Sequence, residues 1–598
     1  MREIKSNCSF CSLACPLIIR GGERGAVFTG QSLLSLDWDK SEGSKFGGSL
    51  CARGVAAVDY VNSVKRLNYP FVLGERSTFE AAVKETASNL SAVKKESGSE
   101  SIGVLLGGGL TNEEATLAMR FTRDVLETDG IVLFAPDDVP IFRFHMGHDL
   151  SALGPAGPKP DGDREVSLLV GDSFSEHPCT AKIVLPGKRA TRGSEVIVIS
   201  PERNHTAWFA DRHLQCRPAG EAAVAAGLLK AAVETGDVSL AKAPELDKMI
   251  RGIEWNAIER FGGVGKEALE GASSSLLGAS KVRTYISNIF GRFGAPELTC
   301  LFTEAMTRVC PGETEFTPQF VQQNTWGVYA ALSGAGGGKV FEKLERMELK
   351  AMMLLGLDLF SAFPAGPVEK AMRECKFAVS TQLFWNQTAA RANVVIPAAD
   401  LIEKSGTVWP EFGEELVRSD VLPPPGGAFT DGEFLAALAK EMGSDISPGG
   451  GKVSEPVRGG GDGRMEGGWK SFGELMSGLE SADAVMIPWS EPAHAADGSL
   501  SRNLHWSMVT TPEPELMISD EMAEEAGIAD GQRVSVESDG GKALLIARRT
   551  GKVEANTVGA TIHFPAVRKL FPWKLDESSG EISLSPVSVK ISGESEKS

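Results

Sequence analysis

The sequence predicts a multidomain α/β protein: a small cysteine-rich domain first, then more than one unit of parallel sheet covered by helices, then a β-rich C-terminal domain. Three observations predict it. Three cysteines fall within eight residues near the start and a fourth follows at Cys51. From about Phe79 to Ser380, short apolar runs ending in glycine or serine alternate with helix-length amphipathic stretches, the pattern of parallel strands joined by crossover helices. Beyond about Asn503 this alternation gives way to strand-like segments separated by Asp- and Gly-containing turns.

Residues 1–70 carry cysteines and glycines with little periodicity, as expected where a chain wraps a metal centre rather than an apolar core. Ser77 with Glu80 reads as a capping box, and Phe79, Val83, Ala87, Leu90 and Val93 then recur at helical spacing. A strand is predicted over Ile102–Leu106, running into Gly107-Gly108-Gly109 and a helix from Asn112 to about Leu126. Further strands are predicted at Val166–Val170, Val196–Ile199, Ala351–Leu355 and Phe377–Ser380, with helices at Gly220–Thr235 and Phe341–Glu348. In open parallel sheets ligands sit beyond the carboxyl ends of the strands, where glycine turns let backbone N–H groups approach phosphates. Ser447–Gly468 is almost devoid of apolar residues and rich in glycine, the composition of a linker or long loop. Strands are then expected at Arg533–Glu537, Ala543–Arg548, Val558–His563 and Val587–Ile591. The division this suggests is 1–70, 71–265, 266–446, a connecting segment 447–500, and a β-barrel-like domain 501–598.

A net charge of -18 and a pI near 5.1 argue against nucleic acid as a partner. No uninterrupted apolar run reaches the roughly 18 to 20 residues of a membrane span, so direct membrane insertion is not expected. Met1–Gly21 shows no export signal and already holds three cysteines; a soluble, cytoplasmic protein is the expectation. Nine cysteines, an odd number in so long a chain, do not suggest a disulfide framework. Cys179, Cys216, Cys300, Cys310 and Cys375 stand singly and read as small buried apolar residues.

The strongest chemical signal is Cys8-x2-Cys11-x3-Cys15-x35-Cys51. A tight loop of three thiolates plus one distant thiolate suits a 4Fe-4S cluster. Structural zinc also takes four cysteines, but usually as two local pairs, and here the last ligand stands alone.

These cysteines, followed by Ala52-Arg53-Gly54 and Val64-Lys65-Arg66-Leu67-Asn68-Tyr69-Pro70, resemble the N-terminal domain of the molybdopterin oxidoreductases, which include formate dehydrogenases, periplasmic nitrate reductases and formylmethanofuran dehydrogenase. Thr111-Asn112-Glu113-Glu114, Gly171-Asp172-Ser173-Phe174-Ser175-Glu176-His177-Pro178, Ala210-Asp211-Arg212-His213-Leu214 and Arg217-Pro218-Ala219-Gly220-Glu221 follow in that family's order. Gly356-Leu357-Asp358-Leu359, the stretch Thr388–Ala399 and Glu403-Lys404-Ser405-Gly406-Thr407 resemble its second half, and Glu515–Ser519, Ala526–Gly531 and Val534–Val536 its C-terminal barrel. The resemblance implies a cluster on Cys8, Cys11, Cys15 and Cys51, with Arg53 as a cation between cluster and pterin. It also implies a Mo or W bis-molybdopterin guanine dinucleotide lined by Ser173, Glu176, His177, Ser200, Arg203, Arg217, Glu221, Gly356, Asp358 and Ser361, closed by a double-psi-like barrel. An iron-sulfur or flavin subunit is the implied electron partner.

The chain departs from the family where catalytic members supply a Cys, selenocysteine, Ser or Asp to the metal. The corresponding loop, Gly130–Pro140, has no cysteine; Asp138, or else Asp137, takes the ligand's place, against the alternative of a solvated acidic turn. Ser200-Pro201-Glu202 stands for an Asp-Pro-Arg, Pro410-Glu411-Phe412-Gly413 replaces an Asn-containing segment, and Phe571 lies near an expected asparagine. Two functions follow: a molybdopterin-dependent redox subunit, formate dehydrogenase-like, or a non-catalytic electron conduit that keeps the cluster without the metal, as in the large iron-sulfur subunit of respiratory complex I.

Overall fold

The computed structural model describes residues 2–21, 34–155, 157–235, 238–332, 338–419, 421–446, 464–577 and 579–593. The expected linker Ser447–Gly468 lies for the most part outside them, up to residue 463.

The chain opens with an antiparallel sheet of β1 (Arg2–Asn7), β2 (Pro16–Gly21) and β3 (Leu34–Trp38). The loop joining β1 to β2 carries Cys8, Cys11 and Cys15, and its neck is closed by the Cys8 N–H donating to the Cys15 carbonyl at 2.9 Å. Cys51 lies at the N-cap of the short helix Ala52–Val55.

Beyond it come β4 (Phe71–Val72), β5 (Glu75–Arg76), β6 (Ile102–Leu106) and β7 (Ile131–Leu133). The helix Phe79–Ser97 begins one residue later than the capping box suggested: Thr78, not Ser77, accepts from the Ala81 N–H. The helix from Asn112 is a true capping box of Thr111 and Glu114, and it passes into a π turn at Phe121–Val125.

The chain then leaves this sheet and builds another from β8 (Glu165–Gly171), β9 (Glu195–Ser200), β10 (Arg212–Gln215), β11 (Lys281–Ser287) and β12 (Glu313–Gln319), all parallel in the order β10-β9-β8-β11-β12. It returns to the first with β13 (Ala351–Leu355), β14 (Phe377–Gln382) and β15 (Val394–Pro397), giving the seven-stranded order β5-β4-β15-β14-β13-β6-β7. The division at 265/266 is therefore wrong. One sheet takes strands from both predicted domains because β6 pairs with β13, while β8 and β11 pair across the predicted boundary. Local periodicity marks a strand but does not name its partner.

The central strands read as continuous apolar runs because helices cover both faces; all five residues of β6 and of β13 are buried. Each such Leu, Ile or Val contributes roughly 1.5–3 kcal/mol.

A hairpin of β16 (Gly406–Glu411) and β17 (Glu414–Arg418) follows, and then the helices Asp431–Glu441 and Arg464–Glu480. The last sheet begins with β18 (Val485–Trp489), earlier than the expected boundary at 501, and adds β19 (Glu515–Ile518), β20 (Arg533–Ser538), β21 (Gly541–Arg549), β22 (Thr557–Thr561), β23 (Val587–Ser588) and β24 (Lys590–Gly593). Its order is β23-β18-β22-β19-β21-β20-β24. The final segment pairs first with β18 and then with β20, so it bridges the two edges of this mixed sheet. Among the described residues no helix is long and apolar enough to cross a membrane.

Candidate functional site

A cavity of about 340 Å³ opens at the carboxyl ends of β6, β13 and β14, where a doubly covered parallel sheet presents its turns to a ligand. Gly107 lets the turns after β6 and β13 touch: a Cβ there would stand 2.1 Å from the Gly356 carbonyl oxygen. Gly356 itself has φ +57, the left-handed region that favours glycine. Of the expected cofactor residues, Gly356, Asp358 and Ser361 line this cavity. Asp358 caps the helix Leu359–Ala362, with Oδ2 accepting from Ser361 Oγ at 2.5 Å and Oδ1 from Thr388 at 2.6 Å. The C-terminal domain closes over it, and Arg502 donates to Ser361 Oγ at 2.6 Å.

Lys404 supplies a second cation in the wall. It is 1% exposed, donates to Asp431 Oδ2 at 2.6 Å and to the Gly109 carbonyl at 2.9 Å, and pairs with Glu114 at 3.0 Å. The two carboxylates raise its ammonium against the lowering effect of burial. Ser9 and Phe10, from the cysteine loop, form another side of the same cavity. Ser9 is held by Tyr60 and Asp400, and Tyr60 donates to Asp400 at 2.9 Å.

Cys8, Cys11 and Cys15 are buried and Cys51 is half-buried, all in one apolar pocket. The Gly54 N–H donates to Cys51 Sγ at 3.5 Å. Burial pushes the Cys11 thiol up to about 11, and the Arg53 guanidinium is the largest influence opposing it. Arg53 is not a solvated surface charge. It is 2% exposed, donates to the His494 carbonyl, and reaches the Glu176 and Ser175 carbonyls at 2.6 and 3.3 Å. Among the described residues, no group of three or more His, Cys, Asp or Glu is set to hold a single metal ion. A four-iron cube makes a different demand: each thiolate binds its own corner, so the sulfurs stand further apart than around one ion.

The remaining expected residues gather at the carboxyl edge of the five-stranded sheet, away from the cavity. There Arg292, fully buried, bonds Glu176 at 2.8 Å and Glu202 at 2.6 Å, and Ser287 and Ser490 also donate to Glu176. Burial pushes the Glu176 carboxyl up to about 7. His177 is held between Ser287 Oγ and the Phe320 carbonyl, and burial drives it down to about 3. Ser200 bonds His213 at 3.0 Å and donates to the Glu202 carbonyl. Arg203 is exposed, its N–H donating to the Lys552 carbonyl. Arg217 is also exposed and pairs with Glu480 at 3.2 Å. Glu221 is fully buried with neither carboxylate oxygen partnered, and burial pushes it up to about 8. Ser173 Oγ and Glu202 Oε2 are likewise buried without a partner.

Asp137 and Asp138 do not form a solvated turn. Both are buried; Asp138 accepts from the Val321 N–H at 3.2 Å on one oxygen and from Thr325 at 2.7 Å on the other. Asp137 accepts from the Phe290 N–H at 2.5 Å and lies 3.7 Å from Arg568. Burial, then the neighbouring Asp137, raises the Asp138 carboxyl well above its ordinary range. Arg292, Asp431 and Arg502 escaped the sequence reading, since only the tertiary fold brings them to these edges.

Residues 168–441 match the molybdopterin oxidoreductase family model, and residues 492–587 match the molydopterin dinucleotide binding domain. Together these spans take in more than half of the chain. A nitrate reductase of Klebsiella oxytoca is 24% identical over 74% of this chain and 55% of its own length. The probable oxidoreductase YjgC of Bacillus subtilis is 24% identical over 92% of this chain and 65% of its own. The F420-dependent formate dehydrogenase subunit alpha of Methanocaldococcus jannaschii is 24% identical over 74% and 70%. The chain thus spans 55 to 65% of the first two of these relatives. In fold it is similar to acetylene hydratase from Pelobacter acetylenicus, with a TM-score of 0.76 at 14% identity over 99% of this chain and all of that one. The chain belongs to the molybdopterin oxidoreductase family.

Proposed function

We propose that this chain is a redox subunit that holds Mo or W on molybdopterin guanine dinucleotide, carries a 4Fe-4S cluster on Cys8, Cys11, Cys15 and Cys51, and passes electrons to an iron-sulfur or flavin partner subunit. One observation supports this above the others: Ser9 and Phe10 of the cysteine loop are also a wall of the cavity. A cluster on that loop would lie one residue layer from a ligand in the cavity.

The residues present fit the group. Gly108 and Gly356 offer close backbone approach, and Arg502 positive charge, to a diphosphate. At the other sheet edge, the unpartnered oxygens of Glu202 and Glu221 and the Ser173 hydroxyl suit the N–H edge of a guanine, which supports a second dinucleotide there. When bound, the metal-pterin group supplies the electron or oxygen-transfer chemistry. The chain's own part is to orient and to insulate. Arg53, desolvated among the cysteines and the Glu176 turn, holds a fixed positive charge against the sulfurs. The C-terminal domain walls one side of the cavity with Ala495, Asp497, Arg502 and Pro565.

A second reading, a conduit without catalytic metal, is favoured by Asp138: its two oxygens are both taken by protein donors. Anaerobically purified protein should be analysed for Mo, W, iron, acid-labile sulfide and released guanine nucleotide. Stoichiometric Mo or W with nucleotide supports the redox subunit; iron and sulfide without either supports the conduit; zinc in place of iron overturns both.

A further inference from the structure

The cysteine pocket holds a fifth thiol. Cys179, which in the sequence reads as an isolated buried residue, packs in the same apolar cluster as Cys8, Cys11, Cys15 and Cys51. Its position is held from both sides. His177, two residues before it, bonds the Phe320 carbonyl at 2.9 Å, and Thr180, the next residue, accepts from Gln319 Nε2 at 2.6 Å. Gln319 ends β12 and Phe320 follows it, and the cysteine loop is fastened to the same place: the Ser12 N–H donates to the Phe320 carbonyl at 3.1 Å, and the Phe320 N–H donates to Ser12 Oγ at 3.0 Å. On the other side, Cys179 Sγ lies 3.6 Å from the Ser49 carbonyl, two residues before Cys51. The Cys179 side chain therefore faces both segments that carry the four thiols, and it interacts with those of Cys15 and Cys51.

Those two positions differ. Cys15 is buried and its carbonyl is tied to the Cys8 N–H, whereas Cys51 is half-buried on a separate segment with one backbone N–H at 3.5 Å from its sulfur. Of the two, Cys51 is the less enclosed, and it stands outside the closed loop.

Resting on the cluster reading above, we propose that Cys179 is a reserve cluster ligand that can replace Cys51 at its iron. In the exchange the Fe–S bond to Cys51 breaks as one to Cys179 forms. The Cys179 thiol proton passes to the released Cys51 sulfur, and no electron changes hands. The advantage is chemical: a corner iron that loses its thiolate is the one lost on oxidation, leaving a three-iron cluster, and a second thiol in place would retain it.

The test uses the full chain, reconstituted anaerobically with iron and sulfide, as wild type, Cys51→Ala, Cys179→Ala and Cys51→Ala/Cys179→Ala. Iron and sulfide content and electron paramagnetic resonance are the readouts. Wild type, Cys179→Ala and Cys51→Ala should each hold four irons, the last with a shifted reduced-cluster spectrum, and the double variant should show the three-iron signal or lose its iron. A three-iron Cys51→Ala, or a four-iron double variant, would overturn the proposal. In the otherwise native chain, Cys179→Ala should also speed ferricyanide-driven loss of one iron several-fold, and equal rates would overturn it without relying on a Cys51 variant that folds. A wild-type chain that takes up no iron would sink the cluster reading itself, a result distinct from either.

Discussion

Replacing Lys404 by methionine removes an ammonium from a buried ionic knot in the cavity wall while keeping most of the side chain's length. Lys404 and Asp431 are each 1% exposed and Glu114 is 7% exposed, so little water can replace the lost charge. The carboxylates keep other partners: Asp431 accepts from Thr381 at 2.6 Å, and Glu114 accepts from the Thr111 N–H at 2.9 Å and the Gly432 N–H at 3.2 Å. Removing one member of a buried pair leaves an uncompensated charge, at a cost of about 3–5 kcal/mol. The pH dependence gives a second check. Burial already raises the Glu114 carboxyl, and Lys404 is the largest influence holding it down, so the variant raises it further. A folded-state pKa above the unfolded value means stability that is complete in acid and lost as pH climbs through the folded pKa. The deficit relative to wild type should therefore be smaller near pH 5 than near pH 8 when followed by urea unfolding. A deficit below about 1 kcal/mol, or one equal at the two pH values, would show that Lys404 does not compensate these carboxylates.

Gly107→Ala places a methyl 2.1 Å from the Gly356 carbonyl oxygen, and this overpacking should destabilise the seven-stranded sheet by about 1–3 kcal/mol and lower the released guanine nucleotide per chain; wild-type values of both would refute it. His177→Gln should flatten the acid limb of the stability curve. The folded His177 sits down at about 3, so wild-type stability is complete above the unfolded value near 6.5 and falls by about 1.4 kcal/mol per pH unit below it; an unchanged slope in urea titrations would count against this. Asp138→Asn keeps an acceptor for the Val321 N–H and offers its NH2 to Thr325 Oγ, so it should fold within about 1 kcal/mol of wild type and hold the same Mo or W content. Selective loss of metal from the folded variant would assign Asp138 as a ligand.

The features legible in the amino-acid sequence are local ones. Apolar run length and glycine placement located β6, β8, β9, β13 and β14, because a strand buried on both faces must be apolar throughout and must stop where the chain turns. Spacing likewise singled out the four cysteines, since three of them lie on one short loop. Partnership belongs to the folded chain. Folding paired β6 with β13 across an inserted sheet, brought Arg502 onto Ser361, set Arg292 between Glu176 and Glu202, and placed Cys179 among cysteines more than 120 positions away. Periodicity reports what one segment demands of its surroundings. The identity of those surroundings is a property of chain closure, in which residues distant in sequence meet because burial leaves them no other place.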